Sequence, residues 1–168
     1  YNEALAVLRR AVNSHKLLRY DARTWNSLLD LEEAFGSLQT TKSAYDMLID
    51  RKIASVSNII NYAALLRKYK YFEESFRVYE RAIRLYPWPA VKELWIDYLT
   101  NFLERYVGIT LRSTNVASTG KNSLPTKQMT KSTKYLERAR ELFEDVCGQV
   151  PSESAKVFWL MYADMEEQ

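Results

Sequence analysis

The sequence is poor in the residues that break helices and in histidine and cysteine. Of its 168 residues only four are glycine and four proline, which favours long helices with few turns. The four glycines, Gly36, Gly108, Gly120 and Gly148, stand far apart, so no glycine-rich phosphate loop exists. One cysteine, Cys147, excludes an internal disulfide framework and suits a reducing compartment, where it fills apolar space. One histidine and one cysteine cannot supply a zinc site. A Ser or Cys nucleophile would have only His15 as its base. His15 stands at the C-terminal end of a helical pattern, where the dipole favours a cationic ring, and reads as structural. No apolar run approaches the ~18–20 residues that span a bilayer. Metal ions, cofactors, small-molecule substrates and membranes are therefore not expected, and neither is enzymatic activity.

What is present is apolar and aromatic. Hydrophobic residues make up 47% and charged residues 27%, enough for a buried core and a solvated surface. Twelve Tyr, six Phe and four Trp call for wide interfaces between elements. The chain opens at Tyr1 inside one helical pattern and closes on Glu166-Glu167-Gln168 inside another, so it reads as a piece of a longer protein. The net charge of +3 hides an asymmetry. Residues 105–134 hold six basic side chains (Arg105, Arg112, Lys121, Lys127, Lys131, Lys134) and no acidic one, so the remainder carries a net −3.

Two helical patterns alternate along the chain. In the first, which we term A, Trp25, Ile59, Trp95 and Trp159 are followed three residues later by Leu28, Tyr62, Tyr98 and Tyr162. Three further on stand Leu31, Leu65, Asn101 and Met165, with Phe102 supplying the apolar contact in the third. Such spacing puts these residues on one helical face. In the second pattern, B, the bulky residues are Leu8, Tyr45, Tyr79 and Phe143, preceded by small residues at Ala4, Thr41, Ser75 and Ala139. A small residue lets two helix backbones approach, and the bulky one fills the adjacent groove. Trp25 to Ile59 is 34 residues and Ile59 to Trp95 is 36; Trp95 to Trp159 is 64, an excess of 28 that lies in the basic segment. Pro87 and Pro151 each follow a B-type aromatic by eight residues and are placed to end that helix.

The patterns predict helices over 2–16, 22–34, 38–51, 55–68, 72–85, 90–106, 132–148 and 152–167, an all-α superhelix of antiparallel pairs. The repeats are 1–16 (half), 22–51, 55–85, 90–148 and 152–168 (half), with an unstructured basic insertion at 107–131. No pair buries its apolar face alone; stacking on neighbours does so. Trp25, Trp95 and Trp159 are expected between helices. The paired carboxylates Glu32-Glu33, Glu73-Glu74 and Glu166-Glu167 point about 100° apart on a helix and read as solvated faces. Glu73–Arg77 and Glu80–Arg84 are expected as i,i+4 ion pairs.

Trp95-x2-Tyr98, Trp159-x2-Tyr162 and Tyr79-Glu80-Arg81-Ala82 match the half-a-tetratricopeptide (HAT) pattern, whereas the glycine of tetratricopeptide repeats is replaced by Leu29, Ala63, Leu99 and Ala163. Stretches between these positions, including Glu32-Glu33-Ala34-Phe35-Gly36, Asn61-Tyr62-Ala63 and Tyr71-Phe72-Glu73-Glu74-Ser75-Phe76, are similar to the SYF-one pre-mRNA-splicing factors. The resemblance implies a non-catalytic nuclear scaffold. It would belong to the Prp-nineteen-associated complex of the activated spliceosome, with other spliceosomal proteins as partners. The repeat alone also allows a scaffold of mRNA 3′-end cleavage or ribosomal RNA processing. The basic insertion departs from the family pattern and could contact RNA phosphate through Arg112, Lys121, Lys127, Lys131 and Lys134.

Overall fold

The computed structural model describes residues 1–109, 111 and 133–167. Among them it contains eight α-helices and no strand: α1 (Asn2–Ser14), α2 (Ala22–Phe35), α3 (Leu38–Asp50), α4 (Val56–Lys68), α5 (Phe72–Leu85), α6 (Val91–Phe102), α7 (Thr133–Gln149) and α8 (Ser152–Glu166). The chain divides into two compact units, Tyr1–Leu85 and Tyr86–Gln168. The division falls between the second and third complete repeats.

In the first unit the starts of α2, α3 and α4 are fixed by side chains that accept orphan backbone N–H groups. Asp21 accepts from the Thr24 amide at 2.9 Å and caps α2. Ser37 and Thr40 form a reciprocal capping box at α3, and Ser55 and Asn58 form another at α4. The A-type helices α2 and α4 bury Trp25, Leu28, Leu29 and Glu32, and Ile59, Tyr62, Ala63 and Leu66. The third contact of the A pattern therefore falls seven residues after the first, and Leu31 and Leu65 are only half-buried. Seven residues are nearly two full turns, so position seven returns closer to the starting face than position six does. The B-type positions Thr41 and Ser75 are sealed, and the Thr41 hydroxyl donates to the Glu32 carbonyl at 3.0 Å, joining α2 to α3. Ala4, in the first turn of α1, is exposed; no described helix covers that face.

In the second unit α6 buries Val91, Leu94, Trp95, Tyr98, Leu99 and Phe102, then widens into a π-helical turn, Leu103–Val107. The turn ends at Gly108, whose φ of 75° is left-handed and suits glycine. The expected loop at 107–131 begins later than its composition suggests. Val107, Ile109 and Leu111 alternate along the chain and are all buried, so the first residues of the insertion join the core of this unit. The rest of the insertion lies outside the described residues. Helices α5 and α7 end at Leu85 and Gln149, two residues before Pro87 and Pro151, as expected.

Trp159 departs from expectation: it is 56% exposed, while Trp25 and Trp95 are 0% and 3% exposed. Helix α8 buries Phe158, Met161 and Met165, the first two one residue before Trp159 and Tyr162, and of those two pattern positions only Tyr162 reaches α7. Among the described residues no helix covers the Trp159 face.

Candidate interaction surface

The repeat positions form the framework. Trp25 is sealed, its Nε1 donates to the Arg19 carbonyl at 2.9 Å, and the Arg51 guanidinium lies 5.0 Å from its ring. Leu28 lies beside it on the same buried face. Tyr45 of α3 stacks on Tyr62 of α4 with centroids 4.7 Å apart and planes at 1°. Phe143 of α7 stacks on Tyr162 of α8 at 5.0 Å and 5°. Each unit thus repeats one motif, in which the B-type aromatic lies flat on the tyrosine at the second position of the following A-type helix. Trp95 and Tyr98 stack at 5.9 Å inside the second unit. Arg67 donates to the buried Tyr79 hydroxyl at 2.6 Å. These rings serve as core and do not form an open stacking platform for bases; only Trp159 exposes most of its ring.

Burial sets their protonation. Desolvation, then the hydrogen bond to Glu33, pushes the Tyr45 phenol far up. Desolvation, then the charges of Asp46 and Glu74, does the same to Tyr62. Both stay neutral donors. Glu32, expected on a solvated face, is 1% exposed and pairs with Arg9 Nε at 2.5 Å. Burial alone would raise its pKa, but the Arg9 hydrogen bond, the nearby Thr40 hydroxyl and the Arg9 charge together outweigh burial and hold the carboxyl below its ordinary value. Glu33, the neighbour, is exposed and accepts from the Tyr45 hydroxyl.

Charged groups concentrate where α3 and α5 face each other. Arg81, third residue of the Tyr79-Glu80-Arg81-Ala82 run, reaches Asp46 at 3.0 Å and also bonds Asp50, both on α3. It ties one B-type helix to the next, and its partners are spaced one turn apart. Lys42 pairs with Glu74 and covers the Tyr71 ring at 5.1 Å. Glu80 is half-buried at the edge of this groove. Two clefts open here, one of about 250 Å³ between Lys42, Tyr62, Glu74 and Arg77, and one of about 410 Å³ between Asp50, Glu80 and Arg84. The motif signalled Arg81, but nothing in the sequence marked Asp46 and Asp50 as its partners.

Of the basic residues expected to meet RNA, Lys134 is exposed in the first turn of α7. Arg112, Lys121, Lys127 and Lys131 lie outside the described residues. Among the described residues no group of His, Cys, Asp or Glu is placed to hold a metal ion, and no helix is long and apolar enough to cross a membrane.

A family model described as the pre-mRNA-splicing factor Syf1/CRNKL1 C-terminal HAT repeat matches residues 2–130 and 122–168, the two matches meeting inside the insertion. The human pre-mRNA-splicing factor SYF1 is 37% identical over 182 aligned residues, covering all of this chain and 18% of that protein. The Drosophila melanogaster syf1 homolog is 38% identical with the same coverage. The Schizosaccharomyces pombe splicing factor cwf3 is 36% identical over 90% of this chain and 16% of its own length. The chain spans less than one fifth of the length of these relatives. It belongs to the Syf1/CRNKL1 HAT-repeat family of pre-mRNA-splicing factors.

Proposed function

We propose that this chain is a non-catalytic, protein-binding segment of a nuclear pre-mRNA-splicing scaffold, with other spliceosomal proteins as its partners. The observation that carries the reading is the 36–38% identity to splicing factors of human, fly and fission yeast across 90% or more of the chain. The side-chain economy supports it. The aromatic residues at the repeat positions are largely spent on helix packing, which leaves helix faces and grooves as the surface offered to partners. Membership of the Prp-nineteen-associated complex is the finer proposal and rests on the family resemblance. Scaffolds of 3′-end cleavage or ribosomal RNA processing are disfavoured by the same identities. RNA contact through residues 105–134 is a subsidiary proposal, supported by six cations and no carboxylate in that segment.

Affinity purification of the chain from nuclear extract, with and without residues 107–131, tests this. Recovery of spliceosomal and Prp-nineteen-complex proteins by both forms is the expected result. Recovery of cleavage-factor or nucleolar proteins in their place would refute it. RNA recovered only by the intact form, and released by salt, would establish the basic arm.

A further inference from the structure

Three arginines lie along one stripe of α5: Arg77, Arg81 and Arg84, spaced i, i+4 and i+7. The middle one is consumed internally by Asp46 and Asp50 of α3. The outer two are not. The i,i+4 spacing predicts Glu73 for Arg77 and Glu80 for Arg84, but neither pair forms. Glu73 and Glu80 have contacts of their own, and among the described residues no carboxylate pairs with Arg77 or Arg84. Both arginines are exposed and line the clefts beside α3. Lys42 is already answered by Glu74. Internal pairing therefore leaves two guanidinium groups, one on either side of a fixed third, at the mouth of a preformed groove. A guanidinium offers a planar fork of donors that matches a carboxylate bidentately.

We propose that the α3–α5 groove docks an acidic segment of a partner protein, with one carboxylate on Arg77 and a second on Arg84. The proposal rests on the scaffold reading and names the chemistry of its partner. Seven residues of helix separate the two arginines by about 10.5 Å. A partner meets both with carboxylates seven residues apart on a helix, or about three apart on an extended strand. Nucleic acid fits less well. Asp46, Asp50, Glu74 and Glu80 line the same clefts, and a chain charged at every phosphate would be set against them. A peptide can place neutral or basic residues there, and Leu66, Val78 and Leu85 provide apolar wall for its methylenes.

Fluorescence anisotropy on this 168-residue chain tests the proposal with labelled alanine-rich helical peptides. One peptide carries Glu pairs seven apart, one carries Glu pairs on opposite faces, and one carries Gln in place of Glu; a single-stranded oligouridine is the fourth probe. The seven-spaced peptide is expected to bind best and to weaken roughly tenfold on the R77E/R84E chain. Binding to R77E/R84E should be recovered by a peptide with Lys at the same spacing. Both side chains are exposed, so circular dichroism melting of R77E/R84E should keep the parent's cooperative transition, lowered only by the like-charge neighbours Glu73 and Glu80, and exclude misfolding. Equal binding by the Gln peptide, an unchanged affinity on R77E/R84E, no binding by any acidic peptide, or oligouridine displaced from the same arginines would overturn it. No splicing component enters the assay, so its failure leaves the splicing assignment untouched, and failure of the nuclear purification leaves the groove result standing.

Discussion

Glu32 takes the place on α2 that Leu66 takes on α4 and Phe102 on α6, seven residues after the leading Trp or Ile, and it is buried there. Its Oε1 meets Arg9, while its Oε2 is sealed without a hydrogen-bond partner among the described residues. A buried carboxylate with one good partner is stabilising only while it is charged. Its folded pKa lies below the ordinary value of 4.5, so below that value the unfolded chain binds the proton first. The contribution is present above the glutamate range and is lost as pH falls through the lowered folded pKa. Thermal melting across about pH 3 to 7 should show this acid limb, and Glu32→Gln should flatten it; an identical limb in the variant would sink the assignment. Gly36 guards the same carboxylate. A Cβ at position 36 would run into Glu32 Oε2 and stand 2.6 Å from the Glu32 carbonyl oxygen, although φ is an ordinary −81°. Gly36→Ala should therefore cost about 1–3 kcal/mol by contact alone. Glu32→Gln should not rescue it, since the carbonyl contact persists. The sequence pattern put the third contact at Leu31, six residues on, so Glu32 at position seven read as surface until the register was known to within one residue.

Helix ends show why some boundaries were readable and others were not. Pro87 and Pro151 announce the ends of α5 and α7, and the third repeat has its own stop in left-handed Gly108. In the first unit no glycine or proline marks the ends of α3 and α4. Lys52 and Lys70 adopt the left-handed conformation there, with φ of 57° and 66°. The following amides close back on the helices, Ile53 N–H to the Leu48 carbonyl at 3.2 Å and Tyr71 N–H to the Leu66 carbonyl at 2.9 Å. A lysine carries no sequence signal for this geometry; tertiary packing imposes it. The strain is removable. Lys52→Gly and Lys70→Gly should each raise stability by about 1 kcal/mol, because the left-handed region costs an L-residue about 1–2 kcal/mol that glycine avoids. Ala64→Gly, at an exposed position in the interior of α4, should lower it by about 1 kcal/mol. Urea titration decides this, and a loss of stability in Lys52→Gly would mean that its side chain does more than tolerate the turn. The π-helical turn after α6 was invisible for a related reason: Leu103 and Val107 continue an apolar helical pattern, and nothing in it distinguishes one helical pitch from another.

Across the molecule the periodicity of the leading residues was enough to place all eight helices, because each described helix packs chiefly on its chain neighbours. What periodicity could not say is which leading residue would be covered. Trp25 is enclosed by elements before and after it: Arg19 accepts from its indole through a carbonyl, and Arg51 at the end of α3 spans its ring and donates to the Val12 carbonyl of α1 at 3.1 Å. Trp159 is 56% exposed and meets Tyr162 of its own helix, and no described helix covers its face. The same substitution should thus have opposite weight at the two sites. Trp25→Ala removes a sealed ring and should cost about 3–5 kcal/mol, whereas Trp159→Ala should change stability by less than about 1 kcal/mol. In an array of nearest-neighbour contacts a local loss stays local. Hydrogen exchange followed by mass spectrometry on Trp25→Ala should show faster exchange in α1, α2 and α3, with protection of α7 and α8 retained. Uniform loss of protection along the whole chain would show that the two units fold as one cooperative body, and the additive description of this repeat array would have to be given up.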